Sequence, residues 1–148
     1  MHDPRPSLLA ALDGRWTMRG DVMGKPVTYD LEAGPVLGGA FTELHMKDVS
    51  DPPQYEAQVF LGFDRESGTL IAHWLDRFGA LASIPHGTGG IHGNRVRFIV
   101  PYEKTCFRDT LDYDETKGSW RLVIEAGDGE GGWKHFAGYE IVRKEGRE

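Results

Sequence analysis

The stretch Phe107-Arg108-Asp109-Thr110-Leu111-Asp112-Tyr113-Asp114-Glu115-Thr116-Lys117-Gly118-Ser119-Trp120-Arg121-Leu122-Val123-Ile124-Glu125 reads as two alternating strands around a tight turn. Asp114 is suited to cap the turn amides, and Gly118 to take a positive φ before the second strand starts. If Asp114 faces Ser119, then Phe107, Asp109, Leu111 and Tyr113 share one side of the sheet with Trp120, Leu122 and Ile124, because directly opposed residues lie on the same face. The other side then sets Asp112 against Arg121 and Arg108 against Glu125, two opposite-charge pairs that mark it as solvated. Phe63-Asp64-Arg65-Glu66-Ser67-Gly68-Thr69 repeats the turn grammar: aromatic, Asp, three variable residues, Gly, hydroxyl. The same register puts Tyr55, Ala57, Val59, Leu61 and Phe63 on one face with Leu70, Ala72, Trp74 and Asp76.

Outward from these hairpins, apolar alternation broken by Gly, Pro or Asp predicts ten strands. They run from about Arg15 to Val22, Lys25 to Ala33, Ala40 to Val49, Gln54 to Asp64, Thr69 to Asp76, Leu81 to Thr88, Ile91 to Val100, Glu103 to Asp114, Ser119 to Gly127 and Trp133 to Lys144. The connections are short, so neighbours are antiparallel. One helix is expected, from Pro6 to Leu12. A meander of this length with one apolar face and one short helix has to close on itself, which predicts an all-β, ten-stranded up-and-down barrel, wide enough for a small ligand. Residues 1–13 form the lead-in and helix, 145–148 a solvated tail, and 1–148 a single domain.

The chain has 148 residues with 23 acidic and 17 basic side chains, a net charge of -6, and one cysteine. No dense Lys/Arg cluster is present, which argues against nucleic acid or an anionic membrane as partner. No apolar run approaches the roughly 20 residues of a membrane span, and Met1 to Arg5 lacks the order of a signal peptide, so a cytoplasmic protein is expected. Cys106 has no partner for a disulfide or a zinc site, and nothing near it in sequence makes it a nucleophile.

Further residues resemble a family. Leu12-x-Gly14-x-Trp16, Val36-Leu37-Gly38-Gly39-x-Phe41, Leu61-Gly62-Phe63-Asp64, Trp74-x-Asp76 with Gly79, and Tyr139-x-Ile141-x-Arg143-Lys144 are similar in order and spacing to the bacterial lipocalin-like domain-of-unknown-function family 1579, a branch of the calycin-type barrels. The resemblance covers most of the chain and implies a barrel that binds a ligand, without a reaction. A more distant likeness is to the nitrobindin-type haem barrels, which also open with Gly-x-Trp and place a haem-ligating His in the last strand. Gly14 to Gly20 lacks the denser glycine pattern of that group.

His135 alternates with Trp133, Ala137 and Tyr139 on the more apolar side of the last strand, so it is either an internal ligand for haem iron or a hydrogen-bonded wall histidine. His86 and His92 flank a glycine-rich segment, but a turn at Gly89-Gly90 puts their rings on opposite faces, which argues against a metal pair. Asp109 and Asp76 aim at an apolar interior, where an unpaired carboxylate is costly. Three roles fit them: a bonded wall residue, a polar handle for a ligand, or an acid/base group. The leading expectation is a binding module for a small apolar or amphipathic molecule, with no cofactor required. Its cavity is expected to be lined by Trp16, Met18, Phe63, Trp74, Phe98, Leu111, Trp120 and Tyr139, with Asp109 and His135 as polar contacts. The alternatives are a haem or redox-cofactor barrel using His135, and an enzyme using Asp109 with an inward His or Tyr. No motif supplies a reaction class.

Overall fold

A computed structural model describes residues 3–144; the expected tail at 145–148 lies outside the described residues. The elements are α1 (Ser7–Ala10), β1 (Gly14–Val22), β2 (Lys25–Val36), β3 (Phe41–Asp48), β4 (Glu56–Asp64), β5 (Thr69–Asp76), β6 (Gly87–His92), β7 (Arg95–Pro101), β8 (Cys106–Asp114), β9 (Ser119–Gly127) and β10 (Trp133–Arg143). Every strand pairs antiparallel with its neighbour in sequence, and β1 pairs with β10 to close a ten-stranded up-and-down barrel. Closure gives every strand a partner on both sides, with β5 paired to β6 over only part of its length. No helix is long and apolar enough to cross a membrane.

The two repeated turns set the register expected of them. Asp114 pairs with Ser119 and Asp64 with Thr69. Asp64 Oδ2 accepts from the Ser67 amide at 2.9 Å, Asp114 Oδ1 accepts from the Thr116 amide at 3.0 Å, and Gly68 and Gly118 take φ of 73° and 67°. Leu111, Leu122 and Ile124 are buried, whereas Arg108 and Glu125 meet on the outer surface at 2.8 Å. Asp112 and Arg121 are cross-strand neighbours, but their ion pairs go outward to flanking strands, Asp112 to Arg95 and Arg121 to Glu140.

The structure differs from expectation between residues 81 and 100. Leu81–Ser83 forms a 3-10 turn instead of beginning a strand, and the β6–β7 hairpin turns at Gly93-Asn94, not Gly89-Gly90. Gly89 and Gly90 lie within β6, where a Cβ on Gly89 would fall 1.8 Å from the Arg97 carbonyl oxygen. Gly89 serves a close strand approach, not a turn. As a result β6 contacts β5 through only three residue pairs, Leu70 to Gly89, Ile71 to Thr88 and Ala72 to Gly87. The helix is also shorter than expected. Beyond Ala10 the chain tightens, with the Leu12 and Asp13 amides bonding back to the Leu9 and Ala10 carbonyls.

The lead-in closes one end of the barrel. Leu9 and Leu12 are buried under it, and the Trp16 indole N–H donates to the Leu12 carbonyl at 2.7 Å. Arg5 is 7 % exposed and its guanidinium binds Asp13 at 2.7 Å, Asp3 at 2.9 Å and the buried Thr42 hydroxyl at 3.0 Å. Those hydrogen bonds hold its pKa above the ordinary arginine value. Arg5→Ala should lower stability by about 1–3 kcal/mol, the scale for hydrogen bonds to a charged group; a urea midpoint unchanged from the parent would show the lead-in to be only loosely attached.

Candidate functional site

The opposite end is open and holds a cavity of about 530 Å³. Its depth follows from walking each strand inward from the mouth. On β8 Phe107 and Asp109 line it, and the next inward residue, Leu111, belongs to the packed core. On β2 the change falls between Tyr29 and Leu31, on β5 between Trp74 and Ala72, on β9 between Ile124 and Leu122, and on β10 between Tyr139 and Ile141. Thus Tyr29, Trp74, Asp109, Ile124 and Tyr139 form a common floor, and the barrel is half filled and half hollow. The mouth carries Met23 and Phe78, 70 % and 76 % exposed.

Sequence reading found the inward face but could not find the floor. Trp74, Asp109 and Tyr139 line the cavity, joined by Asp76. Trp16, Met18, Phe98, Leu111 and Trp120 do point inward, but they fill the closed half as core, with Phe63 packed against them. Alternation reports which face a residue takes, not its height along the barrel axis. The lining residues missed include Tyr29, Tyr55, Tyr102 and Phe136. Tyr29 had a usable signal, lying on the same face of β2 as Leu31.

His135 is a correction. A bulge in β10 between His135 and Ala137 gives Phe136 the place over the cavity. The imidazole is pushed outside, where the side chain is 53 % exposed and Nε2 lies 3.1 Å from Asp21. Among the described residues lining the cavity there is no histidine or cysteine, so the residues present do not fit a haem held through His135 or any imidazole. The enzyme alternative likewise retains only an inward tyrosine beside Asp109. Trp133 also leaves the interior and lies beneath the Arg108 guanidinium, 4.6 Å from its ring centroid. The His86 ring packs 5.7 Å from His73, while His92 faces Arg95 at the hairpin end. No cluster of three or more metal-binding side chains occurs among the described residues.

Aromatic rings make up much of the wall. Tyr29 sits 5.5 Å from Tyr139 and 5.7 Å from Tyr55 between ring centroids, and Phe107 packs edge-on against Phe136 at 4.9 Å. One polar chain crosses it: the Trp74 indole N–H donates to the Tyr55 hydroxyl at 3.0 Å, and that hydroxyl donates to Asp76 Oδ2 at 2.7 Å. Asp76 also accepts from the Phe78 amide at 3.1 Å, so it is a bonded wall residue. Burial raises the pKa of Tyr55 and Tyr139 and pushes Tyr102 up to about 12, keeping all three phenols protonated near neutrality.

Asp109 differs from Asp76. It is 3 % exposed, and its cross-strand neighbours are Phe98 and Ile124. Among the described residues nothing donates a hydrogen bond to its carboxyl, and burial alone pushes its pKa up to about 8. Near neutral pH such a group can donate a hydrogen bond as the acid or accept a cation as the carboxylate.

No protein-family model matches the chain, and no curated protein does. Among solved structures it is similar to the crystal structure of Rv2717c from M. tuberculosis, with 15 % identity, a TM-score of 0.65, and coverage of 95 % of this chain and 99 % of that one. At that identity the likeness shows a shared barrel fold.

Proposed function

We propose that the protein is a lipocalin-like binding module that holds a small apolar or amphipathic molecule in the open half of its barrel. The observation that carries this reading is the cavity, an apolar and aromatic recess of about 530 Å³ with a mouth at one end. A barrel evolved only for stability has no use for such a void, because unfilled volume forfeits packing energy. Ligand sites characteristically combine an apolar wall with a few oriented polar groups, which here are Asp109 and the tyrosine hydroxyls.

The neutral probe N-phenyl-1-naphthylamine should bind saturably at one site, with enhanced probe emission and quenching of Trp74. Val27→Trp, which fills the cavity from its wall, should weaken that binding about tenfold or more. Non-saturable binding by the parent, or equal binding by Val27→Trp, would remove the cavity from consideration as a ligand site.

A further inference from the structure

The charge inside the cavity is one-sided. Asp109 stands unpaired at the floor and Asp76 is bonded in the wall, whereas the single cation among the described lining residues is Lys25, an exposed residue at the start of β2. A carboxylate- or phosphate-headed amphiphile would need a buried arginine or lysine to replace its lost hydration. None lines the floor. A cation would instead find an unpaired acceptor in a cavity also lined by Tyr102 and Tyr139, aromatic rings of the kind that suit a desolvated ammonium group.

Resting on the binding reading above, we propose that the cavity selects an ammonium-headed apolar molecule, an alkylamine or arylalkylamine, whose head lies at Asp109 and whose apolar body lies along the aromatic wall. Head-first entry places the apolar part toward Met23 and Phe78 at the mouth, where the surface is also apolar.

The pairing has a pH signature. The groups that surround Asp109 are the tyrosines at 102 and 139, both protonated near neutrality, with Asp76 also facing the cavity and with apolar Phe98 and Ile124 on the adjoining strands. With the carboxyl's pKa at about 8, binding an ammonium below that pH has to expel a proton from Asp109. Affinity therefore rises with pH up to about 8 and then levels. An alkylammonium keeps its charge throughout this range.

The test displaces N-phenyl-1-naphthylamine from the full chain with decylamine, decan-1-ol and decanoate, three probes with the same chain length. At pH 8 decylamine should bind about tenfold or more tighter than decan-1-ol, with decanoate weakest. From pH 6 to 8 decylamine affinity should climb about fiftyfold while decan-1-ol stays level. Asp109→Asn should abolish both the preference and the climb, whereas Asp76→Asn should leave most of each. Decanoate equal to or stronger than decylamine, a preference that survives Asp109→Asn, or one lost instead in Asp76→Asn would overturn the assignment. If the naphthylamine binds and none of the decyl probes displaces it, the headgroup assignment fails and the binding reading stands; if the naphthylamine does not bind either, both fail.

Discussion

Asp109→Asn should stabilise the ligand-free protein at pH 8.5 by on the order of 5 kcal/mol and leave it nearly unchanged at pH 4. The folded protein holds this carboxyl up to about 8, against an ordinary value of 3.8 in the unfolded chain. Well below pH 3.8 both states keep the proton, and the group makes no difference between them. As pH rises toward 8 the unfolded chain releases the proton and the folded one retains it, so stability falls; above 8 both have released it and the loss is complete. An amide of the same shape never ionises and escapes that loss. Urea unfolding of parent and variant at pH 4, 6 and 8.5 measures the difference directly. A constant gap across these pH values would mean that Asp109 finds compensation in the folded state. A carboxyl that lowers stability at the floor of a hollow half-barrel is the pattern expected where function, not folding, retains the residue.

Trp120→Ala should cost about 3–5 kcal/mol, the range for deleting a fully buried aromatic side chain. Its ring is 1 % exposed and packs 4.7 Å from Tyr113 on the closed half of the barrel. Its indole nitrogen has no hydrogen-bond partner, so the loss is one of packing alone. Trp74→Ala should cost less, because one side of that ring already faces empty space, yet it should alter binding of N-phenyl-1-naphthylamine far more. The expected contrast is a large stability loss with binding retained for Trp120, and a small loss with binding changed for Trp74. Equal effects of both substitutions on both properties would mean that the core and the cavity are not separate halves.

That separation marks the limit of what the amino-acid sequence discloses. Strand number, antiparallel order and the two Asp-capped hairpins were legible because alternation and turn chemistry are local properties. Asp109 was legible for a related reason: a carboxylate inside the run Phe107, Leu111 violates its own pattern. The level at which the interior changes from filled to empty depends on how ten strands are staggered around the barrel, and no single strand carries that information. His135 was misplaced because one extra residue in β10 reverses the alternation, and the bulge has no signature in Trp133 to Tyr139. Gly89 misled in the opposite way, since a residue without Cβ serves a turn and a close strand approach equally well.

The three-pair ladder between β5 and β6 has a mechanical consequence. β1 and β2 share nine residue pairs, so the wall is unevenly stitched, and β5 runs past its last partner at Ala72 through Trp74 and Asp76 with no strand on that side. Local opening concentrates where the fewest backbone hydrogen bonds must break. Local opening is therefore expected first along this line, where Trp74 and Asp76 also line the cavity, and amide exchange there should be faster than in the β1–β2 ladder. A molecule too broad for the cavity would meet the fewest backbone hydrogen bonds at this seam.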